Sequence, residues 1–296
     1  MPKLTILVGP AGSGKTTFAK KLIENDGDHG AATVRVSQDE QGKFGHMEIF
    51  REAVRNNKDI IVDRMGFSVE QRHNYMVQVA DDPNYEIEII VLHQSYKTCL
   101  ERMLKREGHP TIQDEKSARS ALQTFFTKYE RPYENPRFKL TFLYPETLKP
   151  KCVVVDLDGT LANCDHRRHH VRRTDGLKKD WKAFFADIPD DPVNQWCANI
   201  IRCMESKYKI VLCTGRDSNQ QRNTVEWLKK NEISYDDLFM RDRNDSRQDF
   251  VTKEVILDFE ILTRYNPIMF IDDRQQVIDL WRRRGFVALQ CDVGDF

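Results

Sequence analysis

The chain of 296 residues lacks the features that place a protein in a membrane or outside the cell. Its apolar runs stay well below the ~20 residues that cross a bilayer, and the N-terminal segment Leu4–Val8 is too short for a signal peptide. Seven cysteines occur without a Cys-x-x-Cys pair or zinc-type spacing, which favours reduced thiols. The sequence therefore predicts a cytoplasmic protein without a membrane span.

The sequence also lacks a net charge, an internal repeat and a low-complexity tract. Lysine and arginine together number 46, as do aspartate and glutamate. Binding of nucleic acid would therefore depend on local basic patches and not on the overall field. With 31% charged and 40% hydrophobic residues, the composition is that of a globular protein. The length suffices for two domains, each with its own core.

A phosphate-binding loop follows Leu4–Val8, a predicted buried strand. The next residues read Gly-Pro-Ala-Gly-Ser-Gly-Lys-Thr, the Gly-x-x-x-x-Gly-Lys-Thr pattern between a strand and a helix. In such a loop, backbone N–H groups surround a phosphate, the lysine reaches the β- and γ-phosphates, and the threonine hydroxyl ligates Mg²⁺. The predicted ATP-binding residues are Gly9, Gly12, Ser13, Gly14, Lys15, Thr16 and Thr17, and Thr16 is also the predicted metal ligand.

Two further predicted strands, Ala32–Val36 and Asp59–Val62, run into acidic residues. Because parallel strands end at the same edge of a sheet, we expect Asp39 and Asp63 near the phosphate loop. Asp39 is placed to accept the proton of an attacking hydroxyl, and Asp63 to orient the acceptor or a nearby basic group. Taken alone, each residue fits a strand-end turn or a helix N-cap at least as well.

A strand predicted over Glu86–Leu92 precedes a helix predicted over about Tyr96–Glu107. Arg102 and Arg106 lie four residues apart on this helix, so both guanidinium groups project from one face and could hold phosphate oxygens. A solvated basic face is the usual explanation for such a pair. The phosphate loop upstream favours a lid over the nucleotide instead.

A linker is predicted over Asn135–Pro150, which contains three prolines and has some strand character at Phe138–Leu143. We therefore expect two domains, residues 1–145 and residues 146–296.

The second domain opens with Cys152–Val155, an apolar, β-branched run typical of a buried strand. The run continues into Asp156-Leu-Asp158-Gly-Thr. Two carboxylates this close repel each other unless a cation or a proton lies between them. An Asp-Gly turn explains Asp-x-Asp about as well, but the complete string is similar to the nucleophile motif of the haloacid-dehalogenase phosphohydrolases.

Later segments supply matching chemistry, with predicted strands over Tyr208–Cys213 and Ile268–Ile271. The candidate residues are, in chain order, Thr214, Arg216, Asp249, Lys253, Asp272 and Asp273. We expect Asp156 to attack phosphorus and form an aspartyl-phosphate, and Asp158 to protonate the leaving oxygen and later to activate water. The predicted oxygen ligands of Mg²⁺ are Asp156, Asp158, Asp272 and Asp273.

The segment Cys164–Lys182, which includes Arg167, is dense in basic residues and histidine. Beside a phosphatase nucleophile it favours a small cap that receives a polyanion through contacts to phosphates. A solvated basic loop is the alternative. Nearby aromatic residues either stack on bases or pack the cap helix.

A P-loop kinase followed by an Asp-x-Asp-Gly-Thr phosphatase, in a chain of this length, resembles the bacteriophage polynucleotide 5′-kinase/3′-phosphatase family. The resemblance covers essentially the whole chain. It implies two α/β domains, each a mainly parallel sheet flanked by helices: a P-loop kinase fold, then a haloacid-dehalogenase-like Rossmannoid fold with a small cap. It also implies ATP- and Mg²⁺-dependent phosphorylation of 5′-hydroxyl ends of RNA or DNA, removal of 3′-phosphates, hand-off to a ligase, and a homo-oligomer.

The resemblance also assigns roles to single residues. In the kinase half, Asp39 matches the general base, Asp63 and Arg72 the acceptor contacts, and Arg102 and Arg106 the lid. In the phosphatase half, the matched catalytic positions are Asp156, Asp158, Arg167, Thr214, Arg216, Asp249 and Lys253, with Asp273 on the metal.

The chain departs from the family at one position, where an arginine three residues after the general base is replaced by Gly42, followed by Lys43. Two alternatives remain open. One is a small-molecule kinase fused to a metabolic phosphatase, and the other is a nucleic-acid-binding module without activity.

Overall fold

The computed structural model describes residues 1–25, 33–80, 85–106, 114–172 and 178–294. The chain divides into two compact units, Met1–Glu146 and Thr147–Phe296. The predicted fold class is confirmed, because each unit contains a five-stranded parallel sheet with helices packed around it. Within the described ranges, no helix combines the length and the apolar character needed to cross a membrane.

The first sheet has the strand order β2-β3-β1-β4-β5, and all neighbouring strands are parallel. Its strands are β1 Lys3–Val8, β2 Val34–Val36, β3 Ile60–Asp63, β4 Glu86–Leu92 and β5 Lys139–Leu143. The helices of this unit are α1 Lys15–Asn25, α2 Gln38–Gln41, α3 Gly45–Arg55, α4 Val69–Met76, α5 Tyr96–Leu104 and α6 Glu115–Lys128. Because β1 is the central strand, the loop that follows it lies at the middle of the carboxyl edge.

The structure corrects two predictions in this unit. Lys139–Leu143 pairs with β4 as an edge strand, so this part of Asn135–Pro150 is not linker. Its residues are all partly exposed, which weakens the strand pattern in the sequence. Helix α5 ends at Leu104 instead of Glu107, and residues 107–113 lie outside the described part of the chain.

The second sheet has the order β10-β9-β6-β7-β8 and is also parallel. Its strands are β6 Lys151–Val155, β7 Lys209–Asp217, β8 Asp237–Arg241, β9 Asn266–Asp272 and β10 Ala288–Gln290. The helices are α7 Trp181–Ala186, α8 Gln195–Met204, α9 Gln221–Lys230, α10 Asp249–Ile256, α11 Leu262–Arg264 and α12 Gln275–Arg283. A π-helical turn, Leu257–Ile261, separates α10 from α11.

Strand β6 lies at the centre of this sheet and is buried on both faces. Val153 and Val155 belong to one apolar cluster, and Cys152 and Val154 belong to another. Because alternate side chains of a strand point to opposite faces, the sheet has a core on each side. The predicted buried strand is confirmed, and the carboxyl end of β6 carries Asp156.

Two candidate active sites

The carboxyl edge of the first sheet borders a cavity of about 690 Å³. The predicted site residues that line it are Gly12, Gly14, Lys15, Thr16, Thr17, Asp39, Asp63, Arg102 and Arg106. They come from four separate segments of the sequence. They meet because the strands before them are parallel and therefore end at one edge of the sheet.

The phosphate loop has the backbone geometry that its glycines allow. Gly12 has a φ of 81°, and a Cβ at this position would lie 2.5 Å from the carbonyl oxygen of Cys99, so only glycine fits. Gly14 has a φ of 100° and open space where a side chain would be. This opening leaves room for a phosphate beside the backbone at the start of α1.

Two polar groups of the loop fit a bound triphosphate. The Lys15 ammonium is buried and donates hydrogen bonds to the carbonyl oxygens of Gly9 and Pro10, both at 2.8 Å. Burial lowers the pKa of Lys15. The Ser13 hydroxyl is buried and finds no hydrogen-bond partner among the described residues. Gly9 and Ser13 thus shape the loop without lining the cavity.

The two acidic residues of the first cavity are held differently. Asp39 lies on the short helix α2 and lines the cavity. Asp63 ends β3, and its carboxylate pairs with Arg35 Nη1 at 2.7 Å. Arg35 also pairs with Glu40. The sequence analysis did not identify Arg35. This residue lies on β2, next to β3, and is a basic neighbour of the kind that Asp63 was expected to orient.

The basic residues assigned to this site divide into two groups. Arg102 and Arg106 line the cavity, and Arg102 Nη1 donates to the Gly12 carbonyl oxygen at 3.4 Å. Arg72 is elsewhere: it is 3% exposed and donates to the carbonyl oxygens of Gly66 at 2.7 Å and Glu130 at 2.9 Å. The two hydrogen bonds of the Arg72 guanidinium join two loops, and its contact with the substrate stays a prediction.

A second cavity, of about 580 Å³, lies at the carboxyl edge of the second sheet. Predicted site residues that line it are Asp156, Asp158, Thr214 and Asp249. Basic and aromatic residues at the same cavity are Lys179, Trp181, Arg241, Arg243, Arg247 and Arg274. The cavity thus combines an acidic floor with a largely basic surround.

Three buried carboxylates cluster beside the cavity, and Asp156 is the one of them that lines it. Oxygens of Asp156, Asp272 and Asp273 all lie within 4.8 Å of one another. Lys253 Nζ lies 3.0 Å from Asp156 Oδ1, 2.8 Å from Asp272 Oδ2 and 3.3 Å from Asp249 Oδ2. A single ammonium thus pairs with three carboxylates, and Asp273 adds a fourth to the group without pairing with Lys253, so the cluster holds an excess of negative charge.

The pKa values of these carboxyl groups reflect the excess of negative charge. Burial raises the pKa of Asp156 well above its usual range, although Lys253 acts in the opposite direction. Burial, and next the repulsion by Asp272, raises the pKa of Asp273 to about 7. Asp273 Oδ2 is buried without a hydrogen-bond partner among the described residues, whereas Asp156 Oδ1 faces the Lys253 ammonium. Oxygen ligands with unmet charge are what Mg²⁺ requires, so these residues fit the predicted ion.

The glycine of the Asp-x-Asp-Gly-Thr motif has a steric explanation. Gly159 has a φ of 86°, and a Cβ there would lie 2.2 Å from Asp273 Oδ2. Any larger residue would displace Asp273 from the carboxylate cluster. The motif glycine therefore keeps the strand end of β6 close to the strand end of β9.

Asp158 lines the same cavity and is held by two arginines. Arg216 Nε lies 3.0 Å from Asp158 Oδ1, and Arg167 also pairs with Asp158. Burial alone would raise the pKa of Asp158, but Arg216 and Arg167 outweigh it and hold the pKa well below its usual range. The described ligand cluster does not include the Asp158 carboxylate. Its predicted role as a metal ligand stays a prediction.

Arg167 and Arg216 are both fully buried and are absent from the described cavity lining. Besides Asp158, they share Asp191: Arg167 Nε lies 2.7 Å from Asp191 Oδ1, and Arg216 Nη2 lies 3.0 Å from Asp191 Oδ2. These pairs favour a positioning role for both arginines, and their direct contact with phosphate stays a prediction. Asp191 was missed, since nothing in its local sequence distinguishes it from a turn residue.

The cap residues separate into packing and exposed groups. Phe184 is 1% exposed and packs against Arg167, whose Cζ lies 4.1 Å from the ring centre. Trp181 is 41% exposed and lines the cavity. Part of the basic segment, residues 173–177, lies outside the described residues. In the described part of the chain, no histidine belongs to a potential metal cluster.

Comparisons with known proteins point in the same direction. The family model described as "Polynucleotide kinase PNKP phosphatase domain" matches residues 150–296. A "Putative bifunctional polynucleotide kinase/RNA ligase" of Autographa californica nuclear polyhedrosis virus is 24% identical over 306 residues, which cover 95% of this chain and 41% of that protein. "Transcription factor bHLH140" of Arabidopsis thaliana is 27% identical over 150 residues, 48% of this chain and 16% of its own length.

The chain thus spans less than half of the length of these relatives. The viral relative comes from a baculovirus, so a bacteriophage origin remains a prediction. Among solved structures, a chain of the Pnkp1/Rnl/Hen1 RNA repair complex is 26% identical, with a TM-score of 0.43 and coverage of 100% of this chain and 97% of that chain. Chaetomium thermophilum Kti12 with ADP-AlF3 is 18% identical, with a TM-score of 0.37 and coverage of 47% and 88%. Both scores are below 0.5, so the fold assignment rests on the topology given above.

Proposed function

We propose that the protein heals nucleic-acid ends, because residues 150–296 match the family model of polynucleotide kinase phosphatase domains. The N-terminal unit transfers the γ-phosphate of ATP to a 5′-hydroxyl end of RNA or DNA. The C-terminal unit removes a 3′-terminal phosphate. One observation supports the proposal: the chain has two cavities, one bordered by the Gly-x-x-x-x-Gly-Lys-Thr loop and one by the Asp-x-Asp-Gly-Thr motif, and each is lined by residues of one unit.

In the kinase reaction, Asp39 accepts the proton of the 5′-hydroxyl while its oxygen attacks the γ-phosphorus. The bond from this phosphorus to the β-phosphate oxygen breaks. Lys15, Arg102 and Arg106, which line the cavity, stabilise the charge that moves onto the phosphate oxygens. Asp63, held by Arg35, orients the acceptor.

In the phosphatase reaction, a carboxylate oxygen of Asp156 attacks phosphorus and the bond to the 3′-oxygen breaks. Water then hydrolyses the aspartyl-phosphate and releases inorganic phosphate. Lys253, 3.0 Å from Asp156, favours the ionised nucleophile. Mg²⁺, which Thr16 would hold in the first site and Asp156 and Asp273 in the second, would supply positive charge against the phosphate oxygens.

Asp158 is the candidate acid for the leaving oxygen. Its pairs with Arg167 and Arg216 keep it ionised in the arrangement described. Protonation of the leaving oxygen therefore requires that substrate binding weakens these pairs and lets Asp158 take up a proton. Arg216 and Arg167 position the carboxylate until then.

The cavity surround supports a polyanionic substrate. Lys179, Arg243 and Arg247 line the phosphatase cavity beside the exposed Trp181. These side chains can contact phosphates and one base of a nucleic-acid end. The viral relative's name joins a polynucleotide kinase to an RNA ligase, which supports a hand-off of healed ends to a ligase. A homo-oligomer stays part of the proposal.

The proposal is tested with labelled ATP and matched RNA and DNA oligonucleotides that carry a 5′-hydroxyl or a 3′-phosphate. We expect label at the 5′ end and release of inorganic phosphate from the 3′ end, both dependent on Mg²⁺. Brisk phosphorylation of free nucleosides or sugars without labelling of any oligonucleotide would favour the small-molecule alternative. If the folded protein catalyses neither reaction, the nucleic-acid-binding module without activity is the alternative that remains.

A further inference from the structure

The first cavity contains an arginine to which neither the sequence motifs nor the family resemblance assigns a role. Arg64 directly follows β3 and lines the cavity. The strand order places β4, which leads to the lid arginines, on one side of β1, and places β3 and β2 on the other. Arg64 therefore lies on the same side as Asp39, where the acceptor enters, and away from the lid.

The guanidinium of Arg64 is held in place by two side chains. Its Nη1 donates to the Tyr75 hydroxyl at 2.9 Å and lies 3.5 Å from His46 Nε2. His46 is buried, and its Nδ1 lies 2.9 Å from the carbonyl oxygen of Gly42. Because a carbonyl can only accept, Nδ1 is the donor of this hydrogen bond, and in the tautomer with its hydrogen on Nδ1 the other ring nitrogen, Nε2, accepts from Arg64.

The charge of Arg64 has no carboxylate partner within the described ranges, since no ion pair there includes it. Asp63, its neighbour in the chain, pairs with Arg35 instead. A fixed guanidinium with free donors, facing a cavity, is suited to bidentate binding of a phosphate.

Gly42 is connected to the arginine that follows β3. It ends α2 with a φ of 78°, a conformation that side chains other than glycine rarely adopt. An arginine at this position would be strained. The Gly42 carbonyl instead holds His46, and His46 contacts Arg64. The position that lacks the family arginine is thus connected to an arginine from another strand.

We propose that Arg64 binds the first phosphodiester of the acceptor, the phosphate that follows the 5′-terminal nucleoside. This contact makes the kinase prefer polynucleotide ends to free nucleosides. The inference rests on the proposed kinase function and adds to it the residue that recognises the acceptor backbone.

The test compares two dinucleoside acceptors, one with a normal phosphodiester and one with a neutral methylphosphonate at the same linkage. Both resist the phosphatase, so only kinase action is measured. We expect the wild type to prefer the charged acceptor by about 10- to 100-fold in kcat/KM, the range of a charge-assisted hydrogen bond. Arg64→Met should reduce this preference to about 1-fold while the affinity for ATP stays unchanged.

Two matched variants define the outcome. Arg51→Met, on the exposed face of α3, should keep the full preference. Lys20→Met removes another cation that lines the cavity and should also keep the preference. Loss of the preference in Lys20→Met but not in Arg64→Met overturns the assignment.

Folding is monitored by the affinity for ATP. Should Arg64→Met fail to fold, Tyr75→Phe removes the hydroxyl that accepts from Arg64 and should narrow the preference several-fold; an unchanged preference overturns the inference. A wild type that labels no oligonucleotide end refutes the proposed function itself. A wild type that labels both dinucleosides equally refutes only the role of Arg64.

Discussion

The two sites differ in the sign of the charge that the protein places beside the phosphate. The first cavity is lined by Lys15, Arg102 and Arg106 at its donor side, and burial lowers the pKa of Lys15. In the second cavity, burial raises the pKa values of Asp156 and Asp273. Donor phosphates thus meet cations in the first site. The second site must gain a cation before an anion can approach its nucleophile.

The difference follows from the chemistry of each step. A kinase receives an anionic nucleotide and needs positive groups that are already in place. A carboxylate nucleophile must itself be negative, and two anions react only where a further positive charge separates them. The comparison is tested below, from the largest expected effect to the smallest.

The strongest test removes the nucleophile of the second site. Asp156→Asn should reduce 3′-phosphatase activity by about 10⁴-fold or more, because the amide cannot attack phosphorus. Transfer of label from ATP to 5′-hydroxyl ends should stay within about 2-fold of wild type. Loss of both activities in a folded variant would contradict two independent sites.

The reciprocal change acts on the first site. Lys15→Ala removes the buried ammonium of the phosphate loop and should reduce kinase activity by about 10²- to 10³-fold. Phosphatase activity should be retained. Lys21→Ala, on the exposed face of the same helix α1, is the matched control and should leave both activities unchanged. An equal loss in both variants would show that total charge, and not position, matters.

A third change tests the buried arginines of the second site. Arg167→Met leaves Asp158 and Asp191 without one of their cations, and breaking such a buried pair costs about 3–5 kcal/mol. Urea denaturation should show this loss of unfolding free energy in the C-terminal unit. Arg202→Met, on the exposed side of α8, should be neutral.

Substrate size distinguishes the positioning role of Arg167 from direct recognition. Phosphatase activity of Arg167→Met should fall to the same degree on a 3′-phosphorylated oligonucleotide and on a small phosphate monoester. A selective loss on the oligonucleotide would restore the original prediction that Arg167 contacts the polyanion.

A fourth change separates backbone strain from steric displacement. Gly159 and Gly285 have φ values of 86° and 83°, but only at Gly159 would a Cβ meet Asp273. Alanine at either position should cost about 1–3 kcal/mol of strain, measured by thermal or urea unfolding. Phosphatase activity should fall only in Gly159→Ala. Equal activity of the two variants would refute the steric role of the motif glycine.

The smallest effect concerns pH and metal removal. The pKa of Asp273 rises from 3.8 to about 7 on folding, so the folded state binds this proton more tightly than the unfolded state. In EDTA, the stability of the C-terminal unit should therefore fall as pH rises from about 4 to about 7. Mg²⁺ should raise the Tm by a few degrees at pH 7.5 and by less at pH 5.5, where protons compete with it. Equal increases in Tm at both pH values would contradict the expectation that protons and Mg²⁺ compete for the same carboxylates.

Local sequence patterns located much of both sites. Short local patterns identified the phosphate loop and Asp156, because each belongs to a motif with a defined backbone geometry. The same kind of reasoning identified Asp63, Thr214 and Asp273, because each follows or ends a short apolar run. The edge strands β5, β8 and β10 were missed or placed in a linker. They are short or partly exposed, so the hydrophobic pattern that marks a buried strand is weak in them.

The sequence by itself determined the two parallel sheets, the phosphate loop and the acidic motif, because each depends on residues close together in the chain. Only the tertiary structure decided how the arginines are used. It buried Arg72, Arg167 and Arg216 in internal pairs and left Arg64 at the cavity. The neighbouring residues in the sequence do not show what an arginine binds. Its role depends on the distant carboxylates and carbonyls that the fold brings within hydrogen-bonding distance of its guanidinium.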